Sequence, residues 1–159
     1  MPFTSYHLAS GLLLGLLLRR WVHVPTLLVA TTIVIDVEPV LVVLGIAKGE
    51  VHGIFHTFVL GIFLGVVTGL VMYLLEKVFA ELRILYKSLY LSSEQEELRS
   101  YLIGGVVGGF LHILLDAFLY PEMRPLAPFY TVSNPLYISS RDALTILYIL
   151  YDMILFAGV

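Results

Sequence analysis

The chain has 159 residues, of which 59% are hydrophobic and 13% charged, and its mean hydropathy is +0.95. A soluble domain carries about 45–50% apolar and about 25% charged residues, so a soluble enzyme, a disordered segment and a nucleic-acid module are excluded in favour of an integral membrane protein. The net charge of −3 and the absence of cysteine leave no basic patch for nucleic acid and no disulfide or thiolate metal site.

The expected fold is all-α: one integral membrane domain over residues 1–159, a transmembrane bundle of about five helices with one amphipathic interfacial helix. Spanning helices need about 20 residues each. The apolar runs are continuous, as in Leu12–Leu18, where a β-barrel would alternate. No basic stretch precedes the first apolar run, and Arg19-Arg20 follows it, so it reads as a retained helix and not a signal peptide.

The first helix is expected from about Thr4 or Ser5 to Arg20 or Trp21, where the basic pair and Trp21 mark an interface. The second begins near Val22–Pro25 and is apolar through Ile35. Asp36-Val37-Glu38-Pro39 then interrupts it before the apolar run Val40–Ala47, and Pro39 predicts a break or kink at Glu38. The third covers His52–Leu75. The stretch Glu76–Leu91 mixes charge with Leu82, Ile84, Leu85, Leu89 and Tyr90, which suggests an interfacial amphipathic helix. Ser93 and Glu96 form a capping-box pattern that opens a fourth helix reaching Tyr120. Pro121–Arg141 holds four of the seven prolines and reads as ordered, irregular chain, and the fifth helix takes Asp142–Phe156. Glycines recur four apart at Gly11/Gly15, Gly61/Gly65/Gly69, Gly104/Gly108 and Gly105/Gly109, a spacing that lets helices pack closely in lipid and also offers faces for a homo-oligomer.

With five spans, Arg19, Arg20, Lys77, Arg83, Lys87 and Arg99 fall on one side of the membrane and Lys48, Arg124 and Arg141 on the other. The positive-inside bias makes the first side cytoplasmic. Ionisable residues inside spans are costly and by default functional. Here they are His7, Asp36, Glu38, His52, His56, His112 and Asp116, and the up-and-down topology puts all seven on the extracytoplasmic side. His52/His56 and His112/Asp116 are each spaced i, i+4, so each pair would share a helix face. Asp36 and Glu38 would need the Pro39 break to turn inward together. Imidazole and carboxylate without thiolate suit zinc, manganese or iron(II), and seven groups allow two ions, outer partners or a general base. His23, beside Arg20 on the opposite side, receives no role, and Glu50 and Glu122 read as solvated rim charges.

His7, Asp36-Val37-Glu38-Pro39, His52-Gly53-Ile54-Phe55-His56-Thr57, His112-Ile113-Leu114-Leu115-Asp116 and Arg124-Pro125-Leu126-Ala127-Pro128-Phe129 appear in an order that resembles the YdjM-like family of inner-membrane-associated metal-dependent hydrolases of bacteria and archaea. That family is distantly similar to zinc-dependent phospholipase C and single-strand nucleases. Two departures stand out: the family's Asp-x-Asp-His is here Asp36-Val37-Glu38-Pro39, and its His-Arg-Gly-x-x-His places Val51 and His52 at the first His and the Arg. The resemblance therefore supports His7, Asp36, His56, His112 and Asp116 as metal ligands best.

It implies a hydrolase using one or two divalent ions, most readily zinc, on a phosphoester of a lipid or lipid-linked substrate. Glu38 or His52 would serve as catalytic base or further ligand, and Arg124, Asn134 and Arg141 would contact substrate. The competing expectations are a metal or proton transporter using the same residues as a pathway, a bis-histidine haem protein, and a non-catalytic adaptor with a polar core.

Overall fold

The structure, a computed structural model, describes residues 4–89, 91 and 97–157. The regular elements among them are all helical, without a strand: α1 (Thr4–Leu17), α2 (Val24–Val29), a π-helical segment (Ala30–Val34), α3 (Val37–Val43), a 3-10 turn (Ile54–His56), α4 (Phe58–Val78), α5 (Glu81–Ser88), α6 (Leu98–Ala117) and α7 (Arg141–Ala157). Three stretches are long and apolar enough to cross a membrane: Val24–Val43, Phe58–Val78 and Leu98–Ala117. The capping-box residues Ser93 and Glu96 lie outside the described residues.

Small residues decide how the helices meet. On α4, Gly61, Gly65 and Gly69 face α6, where a Cβ on Gly65 would land on the carbonyl oxygen of Gly105 and one on Gly105 on that of Gly65. The pairings Gly61 with Gly109, Gly65 with Gly105, and Gly69 with Tyr101 make the two helices antiparallel. The start of α4 therefore lies beside the end of α6. The other face of α6 meets α2, with Gly108 against the Leu27 carbonyl and Gly104 against that of His23. Helix α1 in turn meets this second span, Gly11 lying against Thr31 and Gly15 against Val24.

Three expected boundaries are corrected. The interruption falls just before Glu38: the π segment Ala30–Val34 ends in a turn at Ile35-Asp36 and α3 starts anew at Val37, with Pro39 in its first turn, where a missing N–H removes no ladder bond. Likewise, His52 and His56 do not share a helix, because the chain turns at Gly53 and α4 starts only after Thr57, whose hydroxyl accepts from Leu60 N. Finally, Glu76 belongs to α4, which runs on to Val78 and buries it, and the amphipathic element is confined to α5.

One end of the bundle rests on an apolar bed of Ile35, Ile113, Ala117 and Met123. The Pro121–Ser140 loop is tied over it by Asn134, whose amide donates to the carbonyls of Ala117 (2.7 Å) and Tyr120 (2.8 Å) and accepts from Leu136 N (3.0 Å). These bonds satisfy carbonyls that the end of α6 would otherwise leave without partners.

Candidate metal centre

All seven ionisable residues singled out along the spans gather at this end. Asp36 comes from the junction between the π segment and α3, His56 from the 3-10 turn, and His112 and Asp116 from the last turns of α6. One ligand atom from each of these four lies within 4.8 Å of the other three. His112 Nε2 is 3.6 Å from Asp36 Oδ1 and 3.4 Å from Asp116 Oδ2, while His56 Nε2 is 4.0 Å and 3.8 Å from the same two oxygens.

A tetrahedral zinc with nitrogen and oxygen ligands at about 2.0–2.1 Å has edges of about 3.3–3.4 Å. Four of the six edges of such a site, at 3.4–4.0 Å, are at or somewhat above this length, so an ion would draw the donors inward.

The surroundings orient the donors. His112 Nδ1 lies 2.7 Å from the carbonyl oxygen of Thr31. A carbonyl can only accept, so Nδ1 carries the proton and Nε2 presents its lone pair to the cluster. His56 Nδ1 lies 3.3 Å from Glu38 Oε2, and the same logic turns its Nε2 inward in a carboxylate–histidine arrangement. Burial, with His112 beside it, pushes the His56 imidazole down to about 3, so the ring is neutral as a ligand must be.

His56 Nε2 and His112 Nε2 are buried with no hydrogen-bond partner among the described residues. Leaving such groups unpaired costs roughly 1–3 kcal/mol each, and a cation between them and the two carboxylates removes that cost. Two neutral imidazoles and two carboxylates also bring the charge of a divalent ion to zero, which suits a buried site.

The remaining residues take distinct places. His7 stands one step out, its Nε2 3.2 Å from Asp116 Oδ1 and its ring stacked on His112 at 4.2 Å. Glu38 spends both oxygens on the turn that carries His56, accepting from Ile54 N and Phe55 N at 3.0 Å each. His52 lies with its ring 4.9 Å from that of His56 and 3.9 Å from that of Tyr120. Its Nδ1 is 2.8 Å from Glu122 Oε1, so Glu122 is a partner of the site's rim histidine and not merely a rim charge. Arg124 pairs with Glu50 at the surface (3.2 Å), Asn134 is committed to the loop, and Arg141 is exposed at the start of α7. None of these three lines the cavity beside the four-residue cluster.

That cavity, of about 440 Å³, is lined by His7, Thr32, Asp36, His52, Asp116 and Tyr120 together with the aliphatic Ile33, Val37, Val40 and Leu41. Asp36, with its side chain 22% exposed, faces it, while the side chains of His56, His112 and Asp116 are exposed by 4% or less.

A second buried polar cluster occupies the opposite end. His23 Nε2 is 3.1 Å from Glu76 Oε1, the Tyr101 hydroxyl donates to Glu76 Oε2 (2.7 Å), and the His23 ring stacks on Tyr101 at 3.9 Å. Arg83 approaches Glu76 at 3.8 Å, and Thr26 holds His23 Nδ1 at 2.8 Å. His23, taken above as a turn residue without a role, is buried here. The signal for it was present: Glu76 continues the stripe of Gly61, Gly65, Gly69 and Met72 at spacings of three and four, so a carboxylate at that position is carried into the interface.

No family model, curated protein or solved structure matches this chain.

Proposed function

We propose that the protein is a membrane-embedded, metal-dependent hydrolase of phosphoesters. In this reading α1 and α7 add two spans to make a five-helix bundle, and the six-to-three bias of Lys and Arg sets the metal-bearing end on the extracytoplasmic side. The observation that carries the reading is the convergence of Asp36, His56, His112 and Asp116, with outward hydrogen bonds to Thr31 and Glu38 and with His7 close to Asp116, beside a cavity of about 440 Å³. The ordered resemblance to the YdjM-like hydrolases supports phosphoester chemistry.

A divalent ion held by these residues, with a coordination position beyond them left for water, would polarise a phosphoryl oxygen and acidify the bound water to a pKa of about 7. Asp36 is the member of the set that faces the cavity. His52, oriented by Glu122, is the group placed to take or return a proton at its Nε2, because both oxygens of Glu38 are engaged. Glu38 acts through His56 as a positioning residue.

Elemental analysis of purified protein beside His56→Ala and His112→Ala tests the centre. Hydrolysis of bis-p-nitrophenyl phosphate by the metal-loaded protein tests the chemistry. Stoichiometric zinc, manganese or iron lost in both variants, with turnover that follows the metal, is the expected result, and wild-type protein without metal after reconstitution overturns the reading.

The His23–Glu76 cluster favours a second reading, a proton or metal transporter with buried ionisable groups at both ends of the bundle. Against it stands the glycine packing between the two ends, where Leu27 and Ala30 are buried to 1% exposure or less. Metal or proton flux into proteoliposomes separates the two.

A further inference from the structure

The cavity beside the metal centre has a mixed lining, ionisable at His7, Asp36, His52 and Asp116 and aliphatic along the second span. The aliphatic residues Val37, Val40 and Leu41 follow spacings of three and four on α3, and Ile33 extends this strip from the π segment. Ile33, Val37 and Val40 are 57%, 43% and 48% exposed, so the strip opens outward from the bundle. The helix that bears it, Val24–Val43, is one of the three long and apolar enough to cross a membrane.

A water-soluble phosphoester gains nothing from such a strip. A molecule with an anionic head and a hydrocarbon chain matches both kinds of lining at once, the head at the ionisable groups and the chain along the aliphatic strip. A chain that is already in the bilayer gains no hydrophobic transfer energy there, so the strip acts by packing and by fixing the direction of the chain relative to the head. The outer face of α4, with Phe63 and Val67 exposed by 59% and 40%, is equally apolar, and neither residue lines the cavity beside the metal centre. That face is the internal control for ordinary lipid contact.

We propose that the cavity is the seat of a single bilayer lipid, entering sideways from the membrane with its phosphate towards the metal centre and one acyl chain along Ile33, Val37 and Val40. These three aliphatic residues then determine specificity for a chain-bearing substrate. The assignment rests on the hydrolase reading for the role of the head, but the chain seat exists independently of the ion.

Native mass spectrometry of detergent-solubilised protein titrated with palmitoyl-oleoyl phosphatidylglycerol tests it, with metal content measured on the same samples. The wild type is expected to retain one lipid. Val37→Trp/Val40→Trp, which fills the cavity from exposed positions, should lower the retained fraction at least tenfold, and Phe63→Trp/Val67→Trp should leave it unchanged. Should the double-Trp variant not fold, Ile33→Ser/Val37→Ser removes the chain's contacts and is expected to act in the same direction. Retention equal to wild type in the folded cavity variants, an equal loss in the α4 control, or no retained lipid in the wild type overturns the seat. Loss of lipid in a protein that never held metal overturns only the hydrolase reading, and metal with unchanged lipid retention overturns only the seat.

Discussion

The Nδ1 of His112 lies 2.7 Å from the carbonyl oxygen of Thr31, so a residue of α6 takes its ring orientation from the π-helical turn of the second span. At about 100° per residue, Asp36 would stand about 140° round a regular helix from Thr31. The wider π turn swings it back, and both Thr31 and Asp36 meet the same histidine. Irregular turns of this kind are frequent at functional sites.

A metal held there, as proposed, would cross-link the second span, the turn before α4, and α6. Wild-type protein is expected to hold about one ion per cluster, and His56→Ala or His112→Ala to abolish it. Chelation should lower the unfolding midpoint of the wild type and leave both variants unmoved. At a free ion concentration of 100 Kd the linkage is worth about 2.7 kcal/mol. Thermal unfolding with and without chelator measures it.

Glu38 holds the His56 turn through two backbone bonds and orients the ring through a third contact. Glu38→Gln keeps one carbonyl oxygen as acceptor and should weaken metal binding roughly 10–100-fold, the usual cost of an outer partner. Glu38→Ala should weaken it further, because Ile54 N and Phe55 N lose their acceptor. Competition with a calibrated chelator reads both, and affinities equal to wild type would remove Glu38 from the site.

Gly65 and Gly105 allow direct backbone contact between α4 and α6. Gly65→Ala should destabilise by about 1–3 kcal/mol, the cost of overpacking a close-fitted interface. Gly11→Ala, whose Cβ would meet Thr31 at 3.3 Å, should cost less. Denaturation in mixed detergent micelles compares them.

At the opposite end, Tyr101→Phe removes the hydroxyl that donates to Glu76. The expected loss is about 1–3 kcal/mol of stability, from leaving a buried carboxylate short of a donor. Metal stoichiometry should not change, because the two clusters share no residue. A fall in bound metal would show instead that the two ends are coupled through the second span.

The helical class and the gathering of His7, Asp36, Glu38, His52, His56, His112 and Asp116 at one end were legible because hydropathy and up-and-down connectivity alone decide them. The local geometry was not. Pro39 reads as a breaker wherever it stands in a sequence, yet at the first turn of α3 it lacks nothing a helix needs. The irregularity sits in Ala30-Thr31-Thr32-Ile33-Val34, five residues without glycine or proline, where tertiary packing overrides local preference. The roles of Glu38 and Glu122 depend on which backbone amides and rings fold against them, and His23 on its contact with Tyr101, some 80 positions along the chain. No periodicity reports such contacts.

The four residues of the cluster are spread from position 36 to position 116, and this spacing has a consequence for biogenesis. His112 and Asp116 are made late, so a nascent chain with its earlier spans already inserted still lacks half the donor set. If the cluster holds an ion, its capture is then an event of the complete helix assembly. A truncated product ending before α6 would carry Asp36 and His56 without their counterparts and is expected to bind an ion more weakly. On this reading, metal content in membranes would report completed copies and not total synthesis.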